Sequence, residues 1–218
     1  MLKAGAHFPY LAGGFAVAIW GATPAATAIL ARDLAPSLIG IARLMACAAV
    51  LLLLVVMLRP KLPYDRGGWI ALLISAVIGF FGSFMLQGLG IPRTSTTHAA
   101  LILTLSPVFT AIIQFLLSRR WPKRLWWIGS MFALAGVAVL ILGRNLAGTG
   151  HAPTISGDLI VLAGTMTVSI GYVAGARLSA RIGLFAGTTW SLLIGAALAL
   201  PALPVLAGGL AEVSGLGW

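Results

Sequence analysis

Residues 37–58 read SLIGIARLMACAAVLLLLVVML. The block carries one charge, Arg43, and its remaining side chains are apolar or small on every face. A helix rises about 1.5 Å per residue, so a block of this length crosses a hydrocarbon core of ~30 Å. A barrel strand would instead alternate over about ten residues. The same kind of block recurs along the chain, at 8–30, 68–88, 95–117, 125–142, 157–178 and 184–206. The breaks between blocks hold Asp33-Leu34-Ala35-Pro36, Arg59-Pro60-Lys61-Leu62-Pro63, Ile91-Pro92-Arg93 and Arg120-Trp121-Pro122-Lys123. Proline and charge end a helix for different reasons, and here they coincide. The expected fold is an all-α integral membrane bundle of about seven transmembrane helices.

Composition supports this. Of 218 residues, 60% are hydrophobic and 8% charged, with a mean hydropathy of +1.06. A soluble domain carries about 25% charged residues, so this chain has too few to coat a water-facing surface. The net charge of +10 would suggest nucleic acid in a soluble protein. Here the basic residues lie between apolar blocks, so the bilayer is the expected partner and nucleic acid is not. The lone Cys47 excludes an intrachain disulfide and reads as a small packing residue. Residues 8–30 resemble a signal peptide at first, but the stretch is long for one and holds Trp20 and Pro24, so it reads as an uncleaved first helix.

The basic residues also orient the chain. With the N-terminus inside, the inner segments hold Lys3, Arg59, Lys61, Arg66, Arg119, Arg120, Lys123, Arg124, Arg177 and Arg181. The outer segments hold only Arg32, Arg93 and Arg144. Ten against three predicts a cytoplasmic N-terminus in an inner (plasma) membrane protein. A shift of 150 residues then lays the sixth span on the first, with Gly164 on Gly14 and Gly171 on Gly21. A repeated unit of five helices must be inverted, because five is odd. Inverted repeats are the architecture of many secondary transporters. The expected organisation is a first five-helix repeat over 1–143, an extracytoplasmic linker over 144–156, and a partial second repeat over 157–218. By this symmetry roughly 75 residues of the second repeat are lacking, and Ser214-Gly215-Leu216-Gly217-Trp218 reads as an outer loop cut short.

Three stretches carry a family likeness. They are Ala18-Ile19-Trp20-Gly21-Ala22-Thr23-Pro24; Pro36 followed by Ala42-Arg43; and Ala99 through Leu105-Ser106-Pro107-Val108-Phe109 to Ile128-Gly129 and Ala135-Gly136-Val137. Together they resemble the EamA-like branch of the drug/metabolite transporter superfamily. The likeness is close over five spans and looser over the next two. It departs at Leu117-Ser118-Arg119-Arg120, where Arg119 stands in place of the family's glutamate. The resemblance implies ten helices in two inverted halves, and import or export of small metabolites or drugs. By alternating access, the halves would rock about a central cavity lined by the first, second, third, fourth, sixth and seventh spans.

Arg43 is the only formal charge well inside a span. Placing it there costs about 2.5–3.5 kcal/mol on insertion scales. It either faces a cavity and meets an anionic solute, or it snorkels to the nearby interface. Trp20, Thr23 and Pro24 are mid-span; Pro24 frees a backbone carbonyl, and Trp20 could stack on a solute or pack against a neighbour. Gln87 is the polar group near the end of the third span. Thr94, Ser95, Thr96 and Thr97 open the fourth span and suit an N-cap. His98 beside them is the only histidine near a span. Thr104, Ser106 and Pro107 lie deeper, and Tyr172 and Trp190 are the candidates from the second unit. Gly171 and Gly175 form a GxxxG spacing that permits close approach within the bundle or between two copies in a homodimer. Asp33, Asp65, Asp158 and Glu212 fall at span ends or in loops, so a buried carboxylate for proton coupling is not in view.

Other classes fit poorly. A retinal photoreceptor needs a lysine in its last span, and 184–206 has none. No GxSxG or paired intramembrane Asp suggests a protease, and His7, His98 and His151 are scattered, so neither enzyme chemistry, metal nor cofactor is expected. The remaining alternative is a non-transporting membrane subunit or a truncated, nonfunctional transporter.

Overall fold

The computed structural model describes residues 8–32, 34–119, 121–143, 154–202 and 204. Lys3, His7, Asp33, Arg120, Arg144, His151 and Glu212 fall outside them, as do most of the 144–156 connection and the end of the seventh block. The described residues are helical, with no strand among them. In chain order the helices are α1 (Phe8–Gly21), α2 (Thr23–Leu30), α3 (Pro36–Leu58), α4 (Arg66–Leu73), α5 (Ser83–Gly90), α6 (Thr96–Leu103), α7 (Ser106–Ser118), α8 (Arg124–Gly143), α9 (Ile155–Ile182) and α10 (Leu184–Ala199). A π-helical turn over Ile74–Gly82 joins α4 to α5, and a 3-10 turn over Ile91–Arg93 extends α5. Five stretches are long and apolar enough to cross a bilayer: Gly13–Leu30, Leu38–Leu58, Arg66–Arg93, Thr96–Ser118 and Ile155–Ile182. With α8 and the shorter α10, they make the seven spans. This is a multi-pass α-helical membrane protein.

Two spans are interrupted where proline predicts. Pro24 and Pro107 each lack the N–H that would close the preceding turn. The helix breaks at Ala22, between α1 and α2, and at Thr104-Leu105, between α6 and α7, and then resumes with the proline in its first turn. The third span is longer than its apolar block. Pro92 does not end it, because the 3-10 turn at Ile91–Arg93 carries the chain on.

Helices in lipid gain nothing from hiding apolar surface, so packing rests on close contact between small residues. The third span and α9 show this along their whole length. A Cβ on Gly79 would lie 2.6 Å from the Gly171 Cα, one on Gly90 2.9 Å from Val161 N, and one on Gly157 2.6 Å from the Arg93 carbonyl carbon. These pairs run in opposite directions along the two chains, so the helices are antiparallel. The Gly171–Gly175 spacing is therefore spent inside the bundle, with Gly175 facing the Ser75 hydroxyl.

Three apolar clusters hold the bundle together. Ile41 and Leu44 of α3 meet Leu192, Ala196 and Ala199 of α10. Ile91, Ala99, Leu103 and Val161 close one end, while Ala71, Leu72 and Leu178 close the other. The outward faces are apolar instead, with Leu53, Val56 and Met57 of α3 exposed. Cys47 lies on this outer surface and not in the packed interior expected of it.

One end gathers the basic residues. Gly67, Leu117, Arg177 and Arg181 border one apolar groove there. Asp65 caps α4, accepting from the Gly68 amide at 3.3 Å, and Arg181 from the end of α9 donates to its other oxygen. The Arg181 guanidinium holds the Asp65 carboxyl below the usual carboxylate range. A depressed carboxyl lends stability above its unfolded value, and this is lost as pH falls through its folded value. Asp65→Asn should therefore unfold at a lower temperature than wild type at neutral pH in detergent, with the two converging in acid. A gap that stays constant across pH would show that the ionised form contributes nothing.

Candidate functional site

The spacing Ser75, Gly79, Ser83, Gln87 repeats every four residues, which puts small and polar groups on one stripe of the third span. Ser83 returns its hydroxyl to the Gly79 and Phe80 carbonyls, so its own polarity is satisfied locally. Glycines on this face draw α9 in close, and Gly40 draws α3 in against Phe84 and Gly88. Where the small residues leave room, a cavity of about 520 Å³ remains. Its walls come from the first, second, third, sixth and seventh spans, and they include Trp20, Arg43, Gln87 and Tyr172. The volume falls within the range of small-molecule sites, about 300–1,000 Å³.

Arg43 sits three residues after Gly40 and so faces the same neighbour. Its guanidinium lies 5.0 Å above the Phe84 ring, and Nη1 donates a long 3.4 Å bond to the Thr27 hydroxyl. Among the described residues the ion pairs are His98–Asp158 and Arg181–Asp65, so Arg43 is held by a ring and a hydroxyl, not by a carboxylate. Gln87 is 6% exposed, and its amide makes no hydrogen bond to another described residue. Among the described residues no acidic side chain is in the cavity walls.

The other candidate residues lie elsewhere. Ser106 and Ser169 face one another at 3.4 Å, where the fourth span packs on the far flank of α9. Among the described residues the fourth span supplies no wall of the cavity. Thr104 returns its hydroxyl to the Leu101 carbonyl at 2.6 Å, and Pro107 is exposed. Thr23 is half-buried and Pro24 buried within α2. Trp190 donates its ring N–H to the Pro60 carbonyl at 3.2 Å, tying α10 to the end of α3. His98 Nδ1 lies 3.0 Å from the Asp158 carboxylate, which also accepts from Thr94. Ser95 is the N-cap of α6, accepting from the His98 amide at 3.1 Å. This polar cluster ties the fourth span to α9 at the end opposite the basic one.

Phe84, Ser75, Ser179 and Thr188 also wall the cavity, and the sequence did not single them out. The four-residue polar stripe was the available signal for the serines of the third span. Phe84 carries no such mark, because an aromatic in an apolar span is ordinary.

These features define a class: a multi-pass helical membrane protein with one cation and one free amide in a cavity between its spans. The chain belongs to the EamA-like transporter family, whose model matches residues 7–142. It is 28% identical over 193 residues to the uncharacterized transporter YdeK of Bacillus subtilis, covering 88% of this chain and 65% of that one. It is 28% identical over 202 residues to the uncharacterized inner membrane transporter YedA of Escherichia coli K12, covering 88% and 64%. The chain thus spans just under two-thirds of the length of these relatives. No solved structure matches it.

Proposed function

We propose that the protein is a secondary carrier of a small organic solute, working by alternating access in the inner membrane with its N-terminus in the cytoplasm. The cavity that holds Arg43 and Gln87 is its solute site. That cavity is the observation carrying the proposal, because a polar pocket inside an apolar bundle is costly unless something enters it. The cytoplasmic N-terminus rests on the gathering of basic residues at one end. The inner-membrane placement follows the name of the Escherichia coli relative.

The inverted-repeat reading, with α9 and α10 as counterparts of the first two spans, has its own support. Under the 150-residue offset the second and seventh spans are equivalents, and they meet each other directly through Leu44 and Leu192. Equivalent helices on either side of a two-fold axis would meet in this way.

The test fills the cavity without touching the helix crossings. Ala176 is an exposed residue on the cavity wall. Cells expressing the protein are challenged with toxic amino acids, nucleosides and cationic drugs. Wild type should relieve at least one, and Ala176→Trp should lose that relief at an equal amount of membrane-inserted protein. Undiminished relief by Ala176→Trp would show that the solute takes another route.

A further inference from the structure

Two features of the cavity bear on what enters it. The first is a guanidinium whose face rests on Phe84 and whose only bond to a described residue is the long one to Thr27. An arginine presents five N–H donors in a fork, so most of them have no acceptor among the described residues. The second is the Gln87 amide, whose residue is more than nine-tenths buried and lines the same space without a hydrogen-bond partner among the described residues. Both groups offer N–H donors, and among the described residues no acidic side chain is in the walls to supply an acceptor. The rest of the wall is largely aromatic and apolar, with Trp20, Phe80 and Tyr172 offering ring surface.

We infer that the cavity takes an organic monoanion with a flat apolar body. Its carboxylate accepts from Arg43, its second polar atom meets Gln87, and its body lies against the rings. A carboxylate matches the guanidinium fork in two parallel hydrogen bonds, and this geometry strengthens in a site of low dielectric. A cation of the same shape meets an uncompensated positive charge. A neutral amide of the same shape leaves the guanidinium charge unopposed. The inference deepens the carrier reading by naming its substrate class, and it rests on the cavity being the solute site.

The experiment separates the two. Purified protein in detergent is titrated with hydrocinnamate, hydrocinnamamide and phenylpropylammonium, which differ only in the charged end, and binding is read by calorimetry. The anion should bind at millimolar concentration or better, and about tenfold or more tighter than either analogue. Arg43→Gln should erase that preference, and Arg43→Lys should keep part of it while losing the two-bond geometry. Wild-type protein that binds the amide or the ammonium as well as the anion, or binds none of the three, would overturn the inference, and neither result depends on a variant folding. Flux of the same probes into proteoliposomes is then measured with Ala176→Trp as the blocked control. Anion-selective binding without flux leaves the inference standing and removes the carrier. Blockable flux of the cation or the amide does the reverse.

Discussion

Gly79→Ala should strongly destabilise the bundle. The new Cβ would lie 2.6 Å from the Gly171 Cα, a separation that no real carbon pair shows. The obstacle is backbone, so no side chain can swing aside. The helices must part, and their contacts at Ser75–Gly175 and Gly90–Val161 open with them. Overpacking costs about 1–3 kcal/mol where side chains can yield, so about 3 kcal/mol or more is expected here. The control is Gly129→Ala in α8, where nothing lies within 4 Å of the new carbon. That change should be neutral or slightly stabilising, because alanine is the better helix former by about 0.5–1 kcal/mol. Unfolding in mixed micelles under increasing sodium dodecyl sulfate reads both. Equal midpoints for the two variants would mean that the third span and α9 do not cross at Gly79.

Arg43→Leu should separate stability from activity. The arginine stands where a charge costs about 2.5–3.5 kcal/mol on insertion scales, and the structure gives it a ring and one long hydrogen bond in return. Removing it should leave the inserted amount unchanged or raise it. Relief in the challenge screen should fall by about tenfold or more, the worth of a charge-assisted hydrogen bond lost from the solute. Such a trade is typical of sites where function is held at a cost in stability. If the inserted amount and the relief fall together, Arg43 holds the second span against Phe84 and does nothing more.

The spans were legible because lipid leaves the backbone no other choice. Each apolar block must satisfy its own N–H and C=O groups, so block length translates into helix count. The breaks at Pro24 and Pro107 were equally plain, since a missing N–H acts on its own chain. Arg43 was conspicuous for the same kind of reason, a charge whose cost is local. The facing of each side chain was not legible. These spans are apolar on all sides, so they carry no amphipathic stripe to mark an inner face. Trp20 and Trp190 looked equivalent, yet one walls the cavity and the other bonds the Pro60 carbonyl. His98 looked like a lone titratable group until α9 brought Asp158 beside it, 60 positions away in the chain.

The sequence by itself determined that this chain lies in a bilayer, how many blocks are long enough to cross it, and which charge sits within a span. Those properties follow from the hydrogen-bonding and charge demands of one segment at a time. Only the tertiary structure decided that the third span and α9 lie glycine to glycine, and that Arg43, Gln87, Trp20 and Tyr172 share one cavity while Ser106 and His98 do not. Those properties depend on which helix stands next to which, and contact between small residues in lipid is settled by the shapes of two surfaces together.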